Sequence, residues 1–181
     1  IDDGESEASL VYWTTGAECG CTVNASVQNR IYDGEFEPET DYTQTQLKTA
    51  IQGGEFVFHN VNGEVRVLDD INTMVTTTAT QGDVFKDNQT IRVIDQIGND
   101  DAVLFNTKYL GKMPNDAAGR TELWKDLVKM RRELERIRAI ENFNESDVKV
   151  LPGDTKKAVV VENMVTVVNA MSKMYMTVTI S

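Results

Sequence analysis

The sequence predicts an α+β fold, with helices packed on a mixed sheet, and three features point to it. An Asn62-Gly63 turn separates two β-type runs, two long downstream segments carry apolar residues at helical spacing, and the last third returns to β-branched runs. A chain of 181 residues is one domain in size and buries roughly 70% of the surface exposed when unfolded. It needs neither disulfide nor metal to hold it together.

In chain order, Glu5 to Ala17 carries Leu10, Val11, Tyr12 and Trp13 ahead of Gly16 and Gly20, and reads as a short helix ending in a turn. Thr22 to Tyr42 has little periodicity and several turn formers (Asn24, Asn29, Gly34, Pro38), which predicts an extended surface segment. Thr43 is a suitable N-cap for a helix that buries Leu47 and Ile51 and stops at Gly53-Gly54. Glu55–His59 and Glu64–Leu68 flank Asn62-Gly63 as a hairpin. Asn88 to Leu110 repeats Ile91, Ile94, Ile97, Val103, Leu104 and Phe105 at mixed spacing, with Asp87 or Asn88 as cap and Gly111 and Pro114 as terminators. Asp116 to about Ile140 is the clearest helix, because Leu123, Leu127, Met130, Leu134 and Ile137 form one stripe widened by Trp124 and Val128. Asp147–Leu151, Ala158–Val161 and Tyr175–Ile180 are β-type runs.

The net charge of -11 and pI near 4.5 disfavour nucleic acid, whose binding depends on Lys and Arg displacing counterions. No apolar run approaches the roughly 20 residues of a membrane span, so no membrane insertion is expected. The opening Ile1-Asp2-Asp3-Gly4-Glu5 is acidic where a signal peptide is basic and then apolar. It also lacks Met, which suggests a fragment of a longer protein.

Chemistry is hard to find. Cys19 and Cys21 are the only cysteines and His59 the only histidine, too few for the four ligands zinc usually takes. The thiols are expected to be free and His59 to be a packed strand residue. No nucleotide, zinc-protease or nucleophile-elbow motif occurs. The acid doublets Asp2-Asp3, Asp69-Asp70 and Asp100-Asp101 point their members in different directions in either secondary structure. The expectation is no catalytic residue, no metal and no cofactor.

Two features point instead to assembly. Lys125, Lys129, Arg132 and Arg136 step by four, three and four along the back of the clearest helix, with Glu122, Glu133 and Glu135 off their axis. Such a row is either a solvated face or a docking ridge for an acidic partner. At the C-terminus, Met174, Met176, Val178 and Ile180 alternate with Tyr175, Thr177 and Thr179. A terminal strand of this kind pairs within its own sheet or is donated to a neighbour's open edge.

Several runs carry a family resemblance: Gly54-Glu55-Phe56-Val57-Phe58-His59, Val67-Leu68-Asp69-Asp70-Ile71-Asn72-Thr73, Asn88 to Ile97, Leu104 to Lys112, Asn115 to Arg120, Arg138-Ala139-Ile140-Glu141 and Met174-Tyr175-Met176. In this order, from about Tyr12 onward, the chain resembles contractile tail sheath proteins of Gram-positive myophages, PBSX-like prophages and phage-tail-like bacteriocins. The resemblance implies a single C-terminal sheath domain over 1–181, with 172–181 as a strand-exchange arm. Family members carry further N-terminal sequence and outer domains. It also implies a non-enzymatic subunit that polymerises with copies of itself as stacked hexameric rings in a helical array around a tail tube protein. Contraction of that array drives the tube through the target envelope. The particle would be assembled in the bacterial cytoplasm and the subunit would reside in the virion tail. Position and charge make Lys125, Lys129, Arg132 and Arg136 the candidate tube contacts, and 174–180 the candidate inter-subunit strand. A non-contractile scaffold or adaptor is the alternative reading. A hydrolase whose carboxylates converge only in the fold is a third.

Overall fold

The structure, a computed structural model, describes residues 8–180. The expected helical residues 5–7 and the terminal Ser181 lie outside them. The class is α+β as expected, and its strands form three two-stranded antiparallel ladders among the described residues. The chain divides into two compact units, which in their described parts are residues 8–90 with 169–180, and residues 91–168.

In the first unit, helix α1 (Ala8–Cys19) precedes helix α2 (Gln44–Gln52). Thr43 caps α2 through the expected short-range chemistry: its Oγ1 accepts from the Gln46 amide, and the Gln46 side chain accepts from the Thr43 N–H at 2.8 Å. Strands β1 (Phe58–Val61) and β2 (Glu64–Val67) form the hairpin. Its two turn residues both have positive φ, 55° at Asn62 and 88° at Gly63, which matches the right-handed twist of the flanking strands. The core gathers Ala17, Val27, Phe58 and Val67 beneath an aromatic layer. There the Trp13, Tyr32 and Phe58 rings stand 5.0–5.5 Å apart, tilted or edge-on, the arrangement ring quadrupoles favour.

The expected surface segment 22–42 is in fact partly core. Val27 is 1% exposed, and its N–H donates to Asp70 Oδ2, which Ser26 Oγ also reaches. The Tyr32 N–H donates to Val65 O, Val67 N–H to Arg30 O, and Asn29 N–H to Val67 O. Residues 29–32 therefore lie along β2, bridged to it at Ile31 and Arg66. Backbone bonding holds this stretch, so side-chain periodicity could not reveal it.

In the second unit, helix α3 (Asn88–Leu104), whose first turn belongs to the first unit, gives way to a wider π turn over Phe105–Tyr109. The chain then reverses at Gly111, φ 69°. Asp87 is the side chain that caps α3, accepting from the amides of Gln89 and Thr90. The buried apolar residues of this stretch are Val93 and Tyr109, while Ile94 and Val103 face outward. That corrects the expected apolar set, since only part of the apolar residues at mixed spacing falls on the buried face.

Helix α4 (Ala117–Arg136) starts on Asp116, whose Oδ1 accepts from Gly119 N–H at 2.7 Å. It buries Leu123, Leu127, Val128 and Leu134. Trp124 Nε1 donates to Val148 O at 2.9 Å, fastening α4 to strand β4. The short β3 (Ile140–Glu141) pairs with β6 (Thr166–Val167), and β4 (Val148–Pro152) pairs with β5 (Val159–Asn163). At the centre lies Arg131, fully buried. Its Nη2 meets Asp101 Oδ2 of α3 at 2.5 Å. With the Asn163 amide turned oxygen-inward, Arg131 also donates from Nη2 and Nε at 2.8 and 2.9 Å.

Candidate assembly site

The four cations of the predicted ridge all lie exposed on one face of α4. Three of them already have carboxylate partners within the chain. Lys125 pairs with Glu122 at 3.0 Å, Arg132 with Glu145 at 2.9 Å, and Arg136 with Glu133 at 2.6 Å. Hydrogen bonds from Arg136 hold the Glu133 carboxyl below its ordinary range. The glutamates read as lying off the ridge axis are near enough, at i±3, to offset it. Lys129 makes no ion pair among the described residues.

Beside this face, Asp126 Oδ2 accepts from both Lys108 Nζ and Tyr109 Oη at 2.5 Å. Burial pushes the Asp126 carboxyl up, but these bonds outweigh it and the net shift is downward. Burial and the bond to Asp126 push the Tyr109 phenol up to about 12. This triad was not expected from the sequence. The π turn brings Lys108 and Tyr109 to α4, and no local motif announces it.

The C-terminal segment is rooted firmly and then runs free. Ala170 N–H donates to the buried Gln89 Oε1 at 2.9 Å, and Asn169 bonds Thr90 Oγ1 at 3.3 Å. Beyond that root, residues 171–180 form no strand and no backbone hydrogen bond among the described residues. Met174, Tyr175, Met176, Val178 and Ile180 are 71–93% exposed, and Thr177 and Thr179 are exposed as well. The segment is β-prone by composition and has no ladder among the described residues.

An open ladder edge exists in the second unit. Gly153 N–H donates to Ala158 O, which sets the alternation so that Leu151 and Val160 exchange bonds. Val159 and Val161 then turn their N–H and C=O groups outward, where no partner is found among the described residues. Val160 and Val161 are 45% and 39% exposed. This edge carries no Pro or charge at 159–161 of the kind that usually guards one.

The other sequence candidates are structurally quiet. Cys19 is exposed and Cys21 half-buried, and the two form no disulfide with each other. His59 pairs across the hairpin with Arg66. Burial, then the Arg66 charge, lowers its pKa. Among the described residues no three metal-type side chains cluster, and no helix is long and apolar enough to cross a membrane.

Comparison with known proteins shows which family the chain resembles in sequence and fold. The tail sheath protein of Clostridium phage phiCD119 is 32% identical over 117 residues, 64% of this chain and 33% of that one. The crystal structure of the sheath tail protein from Desulfitobacterium hafniense superposes with a TM-score of 0.81 at 33% identity, covering 92% of this chain and 40% of that one. A chain in the anti-feeding prophage baseplate shares the fold at 12% identity, with a TM-score of 0.72, covering 92% of this chain and 47% of that one. This chain thus spans a third to under half the length of these proteins. The model of the phage tail sheath protein central domain matches residues 3–73, and that of the phage tail sheath C-terminal domain matches 80–181, more than half the chain. The chain belongs to the phage tail sheath family, whose role in the tail is structural and not enzymatic.

Proposed function

We propose that this chain is the inner, assembly-forming part of a contractile sheath subunit. Copies polymerise as stacked hexameric rings in a helical array around a tail tube protein, and contraction of the array drives the tube through a cell envelope. The work comes from a metastable lattice relaxing into one with more contact, a shift between two packings of one subunit, so no cofactor is called on. Assembly takes place in the bacterial cytoplasm and the product resides in the virion tail.

The observation that carries this reading is the unpaired C-terminal segment. In a family of tail components, residues 171–180, with a β-prone run over 174–180, leave a fixed root with no backbone partner among the described residues. Donated to a neighbouring copy as a strand, 174–180 would satisfy them, with backbone bonds supplying affinity and the Met174/Met176/Val178/Ile180 face supplying register. The Val159/Val161 edge is the acceptor best suited to it. On α4, Lys125, Lys129, Arg132 and Arg136 would meet an acidic tube surface, Lys129 directly and the others by exchanging partners.

The test is deletion of Met174–Ser181 from the full-length protein. Electron microscopy should show tubes or cylinders for the parent and none for the truncation. Circular dichroism and light scattering should show the truncation folded and unassembled. A truncation that unfolds would place the segment in its own core. A parent that forms only soluble oligomers would favour an adaptor.

A further inference from the structure

A second strand edge lies open in the first unit, and its surroundings select a different occupant. Val65 and Val67 direct their backbone groups to residues 29–32. Opposite them in the register, Asn60 and Phe58 therefore turn theirs away from β2. Neither backbone finds a partner there among the described residues. Beside this edge is an apolar cleft of about 390 Å³ lined by Leu10, Val11, Pro38, Tyr42, Phe56 and Phe58, with Val11 58% exposed.

The wall of the cleft that carries Pro38 and Glu39 belongs to an acidic run. From residue 33 to 41 every second residue is acidic: Asp33, Glu35, Glu37, Glu39 and Asp41. All five are exposed, while Phe36, Pro38 and Thr40 between them are buried or half-buried. None has a cation within ion-pair distance among the described residues. Glu39 itself lines the cleft.

We infer that the β1 edge is a docking site for an extended, basic polypeptide arm, which adds as a strand against Phe58–Asn60, seats an apolar side chain in the cleft and sets Lys or Arg against the acidic run Asp33–Asp41 that includes Glu39 of the cleft. Charge complementarity identifies the occupant. Backbone pairing alone would accept many strands, but five carboxylates without a cation partner among the described residues repel acidic ones and attract basic ones. The chain's own C-terminal segment, with Lys173 as its single charge over 171–180, is a poor match. This site is separate from the strand donation proposed above.

The test uses the full chain and a fluorescein-labelled peptide of sequence Lys-Val-Lys-Thr-Lys-Val-Lys, followed by fluorescence anisotropy at low salt. The Lys peptide should bind at least tenfold more tightly than its Glu counterpart. Binding should weaken at least tenfold in the Glu35→Gln/Glu37→Gln/Glu39→Gln variant, whose circular dichroism should match the parent. Peptides N-methylated at every other amide should lose binding in one phase of methylation and keep it in the other. Equal binding of Lys and Glu peptides would overturn the inference, and so would equal binding of both methylated phases. Tighter binding of a peptide of residues 171–180, competing for the same site, would assign the edge to a second copy and overturn it too.

Discussion

Replacing Arg131 by Met isolates what the buried guanidinium contributes. The side chain is fully buried, bonded to Asp101 on α3 and, through the turned amide, to Asn163 at the end of β5. Met fills much of the same volume, so the loss is chiefly electrostatic. Breaking one partner of a buried pair costs about 3–5 kcal/mol. Asp101 retains 26% side-chain exposure, so water recovers part of its solvation and the expected cost is about 3 kcal/mol, the lower end of that range. With a urea slope of about 1–3 kcal/mol per molar, the midpoint should fall by roughly 1 M or more. The indole N–H resonances of Trp124, in the same unit, and Trp13, in the other, follow the two units separately during urea titration. The Trp124 midpoint should move and that of Trp13 should not. Adding Asp101→Val should recover at least half of the loss, since no carboxylate is then left unpaired. A midpoint shift below 0.3 M in the single variant would refute the reasoning, as would a double variant no better than the single.

Deleting Met174–Ser181 should leave the thermal midpoint of the monomer within about 1 °C, because mostly solvent-exposed residues away from specific contacts contribute little; calorimetry checks this. Asp126→Asn should cost about 1 kcal/mol at neutral pH. Because the Asp126 carboxyl is held below its ordinary value in the folded state, its contribution is present above the unfolded pKa and lost as pH falls through the folded one. The variant should therefore show a flatter acid limb in urea titrations below pH 4. Tyr109 has the opposite sense: its phenol, raised to about 12, stabilises below the unfolded pKa of about 10 and loses that contribution as pH rises toward 12. Tyr109→Phe should remove this alkaline dependence. Gly119→Ala should destabilise by about 2 kcal/mol or more, since a Cβ there would sit 2.1 Å from the Pro114 carbonyl oxygen.

What the sequence made legible was local. The Thr43 cap and the Asn62-Gly63 turn rest on residues a few positions apart, and both appear where expected. The α4 stripe and the β4–β5 pair were likewise carried by short-period patterns. What could not be read depends on distant partners. Arg131 sits between Val128 and Leu134 on α4, where a charged residue defaults to solvent, and its partner Asp101 is thirty positions away. The β3–β6 ladder is two residues on each side, too short for any alternation to show. In the candidate site, the cations of α4 were legible as a row. Their neutralisation by Glu122, Glu133 and Glu145 depends on rotamers and, for Glu145, on a loop beyond the helix. The C-terminal run is β-prone without a ladder, because propensity does not say which chain supplies the partner.

The root at Ala170 also sets a length scale. Gln89 and Thr90 hold Asn169 and Ala170 in place, and the ten residues 171–180 beyond them span at most about 33 Å when extended. That segment is a tether of fixed radius. If 174–180 pairs with a neighbour as proposed, the link would persist only while the acceptor stays within the roughly 10 Å that 171–173 span when extended. Rigid interfaces can then break and re-form while the covalently rooted link persists. In that reading the residues between root and paired strand, 171–173, would be the slack that limits how large a single step of such a rearrangement can be.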